Sequence, residues 1–304
     1  MQSYLPIAEV SISIVMLLGL GTTVGILSGM FGVGGGFILT PLLFMIGIPP
    51  AVAVGTQGNL IVASSFSGML AHLRNKTVDY RMGFVLLSGG LVGSAAGVRL
   101  FHLLDGLGQV DLLVKLSYVF LLGIVGGLML IEAIAAFRRR NMKDYRPAPR
   151  KHHNWVHGWP VKMKFRTSKL YISAIPPFGI GVAVGVLSAI MGVGGGFLML
   201  PAMIYILGMP TKVVVGTSLF QITFMSAFTT VMHAIENQTV DIVLGFILLV
   251  GGVVGAQIGT RMGAKLKADV LRILLSVMVL LISIKLAFDL VLIPHELFSL
   301  SDGH

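Results

Sequence analysis

The sequence predicts an all-α polytopic membrane protein that is built from two related halves in inverted orientation. Of its 304 residues, 55% are hydrophobic and only 11% are charged, and the mean hydropathy is +0.93. Soluble domains carry about 25% charged residues, so this composition favours an integral membrane protein. Apolar runs of about 20 residues match the hydrocarbon core of a bilayer, and the alternating pattern of barrel strands is absent. The spans are therefore expected to be helices.

Ten apolar segments follow one another along the chain, in two sets of five. The first set is predicted at Val10–Phe31, Phe37–Ile48, Ala51–Leu73, Met82–Phe101 and Leu112–Phe137. The second set is predicted at Tyr171–Met191, Phe197–Leu207, Val213–Ala234, Ile242–Met262 and Val270–Ile293. This division gives a first membrane repeat over residues 1–137, a basic loop over 138–169 and a second membrane repeat over 170–304.

The two sets are copies of each other. The stretch GILSGMFGVGGGFILTP (Gly25–Pro41) aligns with GVLSAIMGVGGGFLMLP (Gly185–Pro201). Further matches are Gly-Thr at 55–56 and 216–217, His72 and His233, Thr-Val-Asp at 77–79 and 239–241, Gly-Gly at 89–90 and 251–252, and Arg99 and Arg261. The offset drifts from 160 to 162, which two one-residue insertions explain. An internal duplication follows.

Loop charges predict that the two copies have opposite orientations. The loop after the third segment carries Arg74, Lys76 and Arg81. The counterpart of this loop carries Glu236 and Asp241 and has no Lys or Arg. The next loop shows the reverse pattern, with four basic residues in the second half only: Arg261, Lys265, Lys267 and Arg272. Because basic loops face the cytoplasm, equivalent loops are expected on opposite sides. The plasma (inner) membrane is the expected location, with the long loop cytoplasmic and both termini outside.

Inverted halves require an odd number of crossings in each half. Either all five segments of a half cross, or the first two form a re-entrant pair and three cross. With each re-entrant pair counted as one membrane segment, about 8–10 transmembrane segments are expected. The second segment has only about 11 residues, which corresponds to about 17 Å of helix, half of the hydrocarbon core. The sequence leaves both arrangements open.

Charge and residue usage exclude several functions. The net charge of +10 does not indicate nucleic-acid binding, because 11 of the 22 Lys and Arg residues lie in the loop 138–169. With no cysteine, disulfides and thiolate chemistry are excluded. The histidines at 152, 153 and 157 have no carboxylate nearby to complete a metal site. No cofactor is expected, and no nucleophile–base pair indicates an enzyme. The first ten residues lack Lys and Arg, so the first segment is interpreted as a retained span.

The hexapeptide Gly-Val-Gly-Gly-Gly-Phe occurs at residues 32–37 and again at 192–197. Each glycine costs a helix about 1 kcal/mol relative to alanine, so both copies predict a helix break. It is not a phosphate loop, because no Gly-Lys-Ser/Thr ending follows, but close helix packing is an alternative. The functional interpretation is that unwound backbone N–H groups bind an anion at the midplane. The candidate residues are Gly32, Gly34, Gly35, Gly36, Gly192, Gly194, Gly195 and Gly196.

A second group of candidates begins the third segment of each half. These residues are Thr56, Gln57, Asn59, Thr217, Ser218 and Gln221. Their hydroxyl and amide groups are suited to complete the hydrogen-bond shell of an anion without a fixed positive charge. Helix capping or interhelical hydrogen bonds remain an equal alternative for the threonines. The four-residue glycine ladders at 89, 93, 97 and at 251, 255, 259 are interpreted as helix-packing faces.

With its doubled glycine break, the proline five residues on (Pro41, Pro201) and the Gly-Thr step, the chain resembles the TauE/SafE family of sulfite and organosulfonate exporters. The resemblance covers about residues 10–293 and implies a prokaryotic-type permease of the plasma membrane. The expected function is secondary transport of a small anion such as sulfite or an organosulfonate, and the export direction is implied by the resemblance alone. The alternatives are a passive anion channel, or a permease for another anion such as a carboxylate. Expected partners are the anion, the lipid bilayer and further copies in a possible homo-oligomer.

Overall fold

The computed structural model describes residues 2–31, 36–140, 161–165, 167–168, 170–263 and 268–292. Ten α-helices lie within these ranges. The first five are α1 Ile14–Phe31, α2 Gly36–Met45, α3 Pro50–Arg74, α4 Tyr80–Asp105 and α5 Val110–Arg140. The second five are α6 Ile175–Met191, α7 Gly196–Pro201, α8 Thr211–Met232, α9 Ile242–Gly263 and α10 Ala268–Val291. One π-helical turn extends α7 (Ala202–Ile206) and another extends α8 (His233–Asn237).

These helices confirm the prediction of an all-α polytopic membrane protein. Five of the described helical segments are long and apolar enough to cross a membrane: Tyr80–Asp105, Val110–Ile131, Val213–Asn237, Ile242–Gly259 and Ile273–Val291. Four shorter apolar segments are Ile14–Met30, Gly36–Met45, Ile175–Met191 and Gly196–Ile206. The two that follow the glycine motifs have ten and 11 residues, so each is about 15–17 Å long, half of the hydrocarbon core.

One short β-hairpin precedes the first helix of each half, and the sequence pattern did not predict either hairpin. Strand β1 (Gln2–Leu5) pairs with β2 (Val10–Ser13), and β3 (Lys162–Phe165) pairs with β4 (Leu170–Ser173). Successive side chains of each four-residue strand point to opposite faces. Strands this short are not distinguished by hydropathy from the apolar helix that follows. The predicted loop 138–169 therefore contains the end of α5 and strand β3, whereas residues 141–160 lie outside the described residues.

The halves are interlocked because the first helix of each half packs against the fourth helix of the other. Helix α1 packs along α9, and α4 packs along α6. Because α1 corresponds to α6 and α4 to α9 in the duplication, these are two copies of one contact, each made between the halves. Helices α3 and α8 pack together at the centre, and α5 packs against α10. The orientation of the halves relative to a bilayer stays a prediction.

The glycine ladders lie in these interfaces, which confirms their interpretation as packing faces. A Cβ atom added to Gly251 would lie 2.7 Å from the carbonyl oxygen of Leu18, and one added to Gly97 would lie 2.9 Å from that of Val186. Both distances are shorter than a Cβ atom tolerates. Small residues that bring backbones together are the usual means of helix association in lipid, where burial of apolar surface provides little net attraction. The glycines therefore set the distance between the halves.

We expect Gly255→Ala to destabilise the protein, because the added Cβ would overlap the carbonyl oxygen of Thr22. Overpacking of this kind costs about 1–3 kcal/mol. The matched control is Gly127→Ala on α5, where no atom lies within 4 Å of the added Cβ. Thermal melting of detergent-purified protein, followed by size-exclusion chromatography, should show a lower Tm for Gly255→Ala only. Equal melting of the two variants would contradict the role of the ladder.

Candidate functional site

The described parts of the two glycine motifs meet at the centre of the structure. The rings of Phe37 and Phe197, which end the two motifs, are stacked with centroids 4.7 Å apart and an interplanar angle of 18°. A Cβ atom added to Gly36 would lie 3.1 Å from the carbonyl oxygen of Val193. Gly32, Gly34 and Gly35 lie outside the described residues. The start of α2 therefore packs directly against the second motif.

The second motif is a break in the helix, and its conformation requires glycine. Helix α6 ends where the Gly192 N–H donates a hydrogen bond to the Ser188 carbonyl oxygen at 2.7 Å. The φ angles of Gly192, Gly194 and Gly195 are +71°, +71° and +75°. Residues with a Cβ pay about 1–2 kcal/mol for each such left-handed position. Helix α7 then begins at Gly196.

The break exposes backbone N–H groups. None of the N–H groups of residues 193–197 donates to an acceptor among the described residues. They precede or begin the helical segment Gly196–Ile206, and the start of a helix carries a partial positive charge of about half a unit. Buried N–H groups without acceptors are rare in folded proteins, so this segment is suited to donate hydrogen bonds to an anion's oxygens.

Helix α3 brings an amide side chain to the break. Gln57 is fully buried; its Nε2 donates to the Met191 carbonyl oxygen at 3.3 Å, and its Oε1 has no partner among the described residues. Tyr118 of α5 donates to the same carbonyl at 2.7 Å. The Met191 carbonyl at the end of α6 thus accepts hydrogen bonds from two side chains, while the Gln57 Oε1 has no partner among the described residues.

Helix α8 supplies the opposite wall. The Ser226 hydroxyl is buried, makes no hydrogen bond to a described residue, and lies 3.0 Å from the Cβ position of Gly194. Gln221 is also buried, with its Nε2 2.9 Å from the Met225 sulfur and its Oε1 unpartnered within the described residues. Buried polar atoms without partners are rare, so these groups are candidates for binding a ligand.

Between these elements lies a cavity, which we call the narrow cavity. It is lined by Val54, Gly55, Gly58, Ser188, Gly192, Gly194, Ser226, Thr229, Thr230 and His233, and it has room for about one water molecule. None of these residues is acidic, Lys or Arg. Both His233 ring nitrogens are engaged: Nε2 donates to the Ala189 carbonyl oxygen at 2.9 Å, and Nδ1 accepts from Asn237 Nδ2 at 2.8 Å.

Thr56 and Thr217 do not point into the break but form hydrogen bonds between the halves. Thr56 Oγ1 accepts from the Asp241 N–H at 2.9 Å, and Thr217 Oγ1 accepts from the Asp79 N–H at 3.0 Å. The interhelical alternative left open by the sequence is therefore the one the structure shows. Each aspartate in turn caps a helix, since Asp79 Oδ1 accepts from the Met82 N–H and Asp241 Oδ1 from the Leu244 N–H.

The second carboxylate oxygen of each aspartate binds a hairpin of the other half. Asp241 Oδ2 accepts from the Ile7 N–H at 3.1 Å, in the turn between β1 and β2. Asp79 Oδ2 accepts from the N–H and the hydroxyl of Ser168, at 2.9 and 2.8 Å, in the turn between β3 and β4. We call these two equivalent sets the Asp–Thr clusters: Asp79 with Thr217 and Ser168, and Asp241 with Thr56 and Ile7.

Two other predicted site residues also lie away from the break. The Ser218 hydroxyl donates to the Val215 carbonyl oxygen of its own helix at 3.0 Å. Asn59 lines a separate, mainly apolar cavity with Thr230 and Phe246, between α3, α8 and α9. The structure thus brings Gln57 to the glycines of the second motif, where Ser226 also lies. It places Gln221 beside Gly90 and Met225, and it separates Ser218 and Asn59 from the break.

Sequence reasoning did not single out Ser188, Ser226 or Tyr118. The serines carried a signal, because Ser28 and Ser65 stand at the equivalent positions of the first half, at offsets of 160 and 161. A search for polar residues repeated at those offsets would have found them. Tyr118 carried none, because its counterpart at an offset of 162 is Leu280.

Comparison with known proteins supports the membrane-transport class. The sequence model of the family described as "Sulfite exporter TauE/SafE" matches residues 17–286. A "Probable membrane transporter protein" of Xylella fastidiosa is 28% identical over 243 residues, covering 79% of this chain and 81% of that protein. The "Probable membrane transporter protein YunE" of Bacillus subtilis is 29% identical over 249 residues, covering 74% and 80%. "Sulfite exporter TauE/SafE family protein 3" of Arabidopsis thaliana is 26% identical over 136 residues, covering 43% and 29%. No solved structure gives a significant match.

We expect Thr217→Val to lower the stability of the protein, because it leaves the buried N–H of Asp79 without an acceptor. An unsatisfied buried donor costs about 1–3 kcal/mol. The control is Thr223→Val on the same helix, which removes only a hydrogen bond to the Leu219 carbonyl of α8 itself. A lower Tm for Thr217→Val than for Thr223→Val in detergent is the expected result, and the reverse order would argue against a role in joining the halves.

Proposed function

The chain belongs to the sulfite exporter TauE/SafE family of membrane transporters, and we propose that it is a secondary transporter whose substrate is a small oxyanion, sulfite or an organosulfonate. The observation that carries the proposal is the row of backbone N–H groups at residues 193–197, which have no acceptor among the described residues and lie at the start of a half-length helix. Backbone N–H groups at a helix start are a common binding site for anions.

The side chains around the break suit an anion that must both bind and leave. The Ser226 hydroxyl has no partner among the described residues. The Nε2 groups of Gln57 and Gln221 each donate to one acceptor there, so each has a second N–H that can donate to an anion. A sulfite or sulfonate group offers three oxygens as hydrogen-bond acceptors, which these neutral donors can share. The described lining includes no Lys or Arg, so binding by dipoles would avoid the strong ion pair that retains a ligand.

Transport by alternating access follows from the proposed inverted duplication. Inverted-repeat transporters bind substrate where broken helices meet, and one repeat moves against the other around that point. The stacked rings of Phe37 and Phe197 place the ends of both motifs together, and Gly32, Gly34 and Gly35 are proposed as the first half's contribution. In this arrangement the long basic loop faces the cytoplasm and the termini face outside. An ion or substrate gradient drives the movement.

We expect Gly195→Leu to abolish sulfite counterflow in proteoliposomes, because the position has a φ of +75° and its Cβ site lies 2.8 Å from Met225. The control is Gly179→Leu on α6, where nothing lies within 4 Å of the added Cβ. Counterflow of labelled sulfite should saturate in the wild-type protein and in the control. Unchanged flux in correctly inserted Gly195→Leu would refute the site, and a conductance far above carrier turnover would identify a channel instead.

We expect Ser226→Ala to weaken anion binding about 10- to 100-fold, the equivalent of one hydrogen bond to a charged group. Ser218→Ala is the matched control, since that hydroxyl is already bonded within its own helix. Thermal-shift titrations with sulfite, thiosulfate, sulfoacetate and acetate measure the affinities. A stronger effect of Ser218→Ala than of Ser226→Ala would place the site elsewhere, and stabilisation by acetate alone would favour a carboxylate permease.

A further inference from the structure

The narrow cavity has a counterpart in the other half that is much larger. This wide cavity, lined in part by Ser28, Gly29, Ser65, Gly68, His72 and Leu219, has a volume of about 450 Å³, against about 10 Å³ for the narrow cavity. Six lining positions correspond between the two cavities through the duplication: Ser28 and Ser188, Ser65 and Ser226, Gly68 and Thr229, His72 and His233, Val215 and Val54, and Leu219 and Gly58. The two cavities therefore share part of their lining.

Differences in side-chain size between the halves do not account for this difference in volume. Leu219 lines the wide cavity at the position where Gly58 lines the narrow one, so its bulk would predict the reverse order. At the position of Gly68 and Thr229 the smaller residue lines the wide cavity. The differences in side-chain size at these two positions therefore offset each other. Side-chain size at these two positions therefore does not explain the difference in volume.

A histidine at each cavity has a different partner in the two halves. Around the narrow cavity, His233 Nε2 donates to the Ala189 carbonyl oxygen at 2.9 Å and so connects the end of α8 to α6. The equivalent bond would join His72 to Gly29, the counterpart of Ala189. Both of these residues line the wide cavity, and the His72 ring instead has its Nδ1 2.8 Å from Thr77 Oγ1.

The threonines show the complementary difference. Thr239 is the counterpart of Thr77, and its hydroxyl is buried without a hydrogen-bond partner among the described residues. In the first half the histidine contacts the threonine and leaves the helix carbonyl, whereas in the second half it contacts the helix carbonyl and leaves the threonine. The contacts involve different ring nitrogens: His72 uses Nδ1 toward Thr77, whereas His233 uses Nε2 toward Ala189 and its Nδ1 accepts from Asn237. The halves therefore differ in whether the histidine Nε2 is bonded to the carbonyl of the neighbouring helix.

Each cavity also has a buried serine hydroxyl suited to a ligand. Ser65 is 1% exposed and Ser226 is 2% exposed, and neither hydroxyl has a partner among the described residues. Thus the wide cavity, like the narrow one, offers a neutral donor to an anion, and it has the space that the narrow cavity lacks.

We propose that the wide and narrow cavities are the two access chambers of one anion path, open in alternation, and that His72 and His233 are the residues that close them. The inference rests on the proposed transport function and adds its gate. In the state seen here the cavity at Ser65 is the wide one, and the cavity at Ser226 is closed by the bond between His233 and Ala189. In the opposite state His72 Nε2 bonds to the Gly29 carbonyl and His233 Nε2 leaves the Ala189 carbonyl.

The chain contains no cysteine, so single cysteines report access to each chamber without a background. We expect Ser65→Cys to react at least about 10-fold faster than Ser226→Cys with a charged methanethiosulfonate reagent, in purified protein in lipid nanodiscs. Adding His233→Ala should speed labelling at position 226 and slow it at position 65. Adding His72→Ala should not change the two rates in this way, because His72 forms the bond that closes the wide cavity, at Ser65, in the opposite state. Equal rates at both positions, or rates that rise together in the His233→Ala background, would overturn the proposal.

Two further measurements keep the result interpretable. If either cysteine variant fails to purify as a monodisperse protein, the pair Ser28→Cys and Ser188→Cys tests the same two chambers. The labelling needs no substrate, so it separates the two proposals. If His233→Ala changes the two labelling rates in opposite directions but the protein carries no sulfite flux, the access chambers are supported and the substrate is refuted. If the protein carries sulfite flux but His233→Ala leaves the labelling rates unchanged, the substrate is supported and the histidine gate is refuted.

Discussion

The close approach of backbones between the halves is the constraint on which the rest of this structure depends. Helices α1 and α9, and equally α4 and α6, contact through glycines that lie against carbonyl oxygens. In lipid, burying apolar surface provides little attraction between helices, so close van der Waals contact has to replace it. Because the first helix of each half packs against the fourth helix of the other half, neither half forms the interior alone. The described end of the first glycine motif, Gly36 and Phe37, is thereby brought against the second motif.

The Asp–Thr clusters fix how the interlocked halves meet. A buried carboxylate is costly unless hydrogen bonds satisfy it, and Asp79 and Asp241 each accept bonds from a helix start and from a hairpin turn of the other half. Their own N–H groups bond to Thr217 and Thr56. The threonine hydroxyls are thus used in holding the halves together, while the unpaired polar atoms lie deeper, beside the glycine break.

A neutral site suits a molecule that has to release what it binds. The described lining of the break offers backbone N–H groups, amides and hydroxyls, and the charged side chains that the sequence places near the spans lie elsewhere. Such donors gain strength where water is excluded, because the local dielectric is low. Close equivalence of the two halves also makes their remaining differences informative: the serines and histidines are repeated, but the space and the hydrogen bonds around them are not.

The sequence by itself determined the membrane class, the ten helical segments, the duplication and the glycine break at residues 192–195, because hydropathy, spacing and the cost of glycine in a helix are local properties. It also assigned the glycine ladders correctly to packing. Only the tertiary structure decided which polar residues face the break. Thr217 and Ser218 are adjacent and Ser226 is two turns further along α8, yet only the Ser226 hydroxyl is left unpaired. The partner of each hydroxyl comes from a segment remote in sequence, or from the helix's own carbonyls, and composition does not distinguish the two.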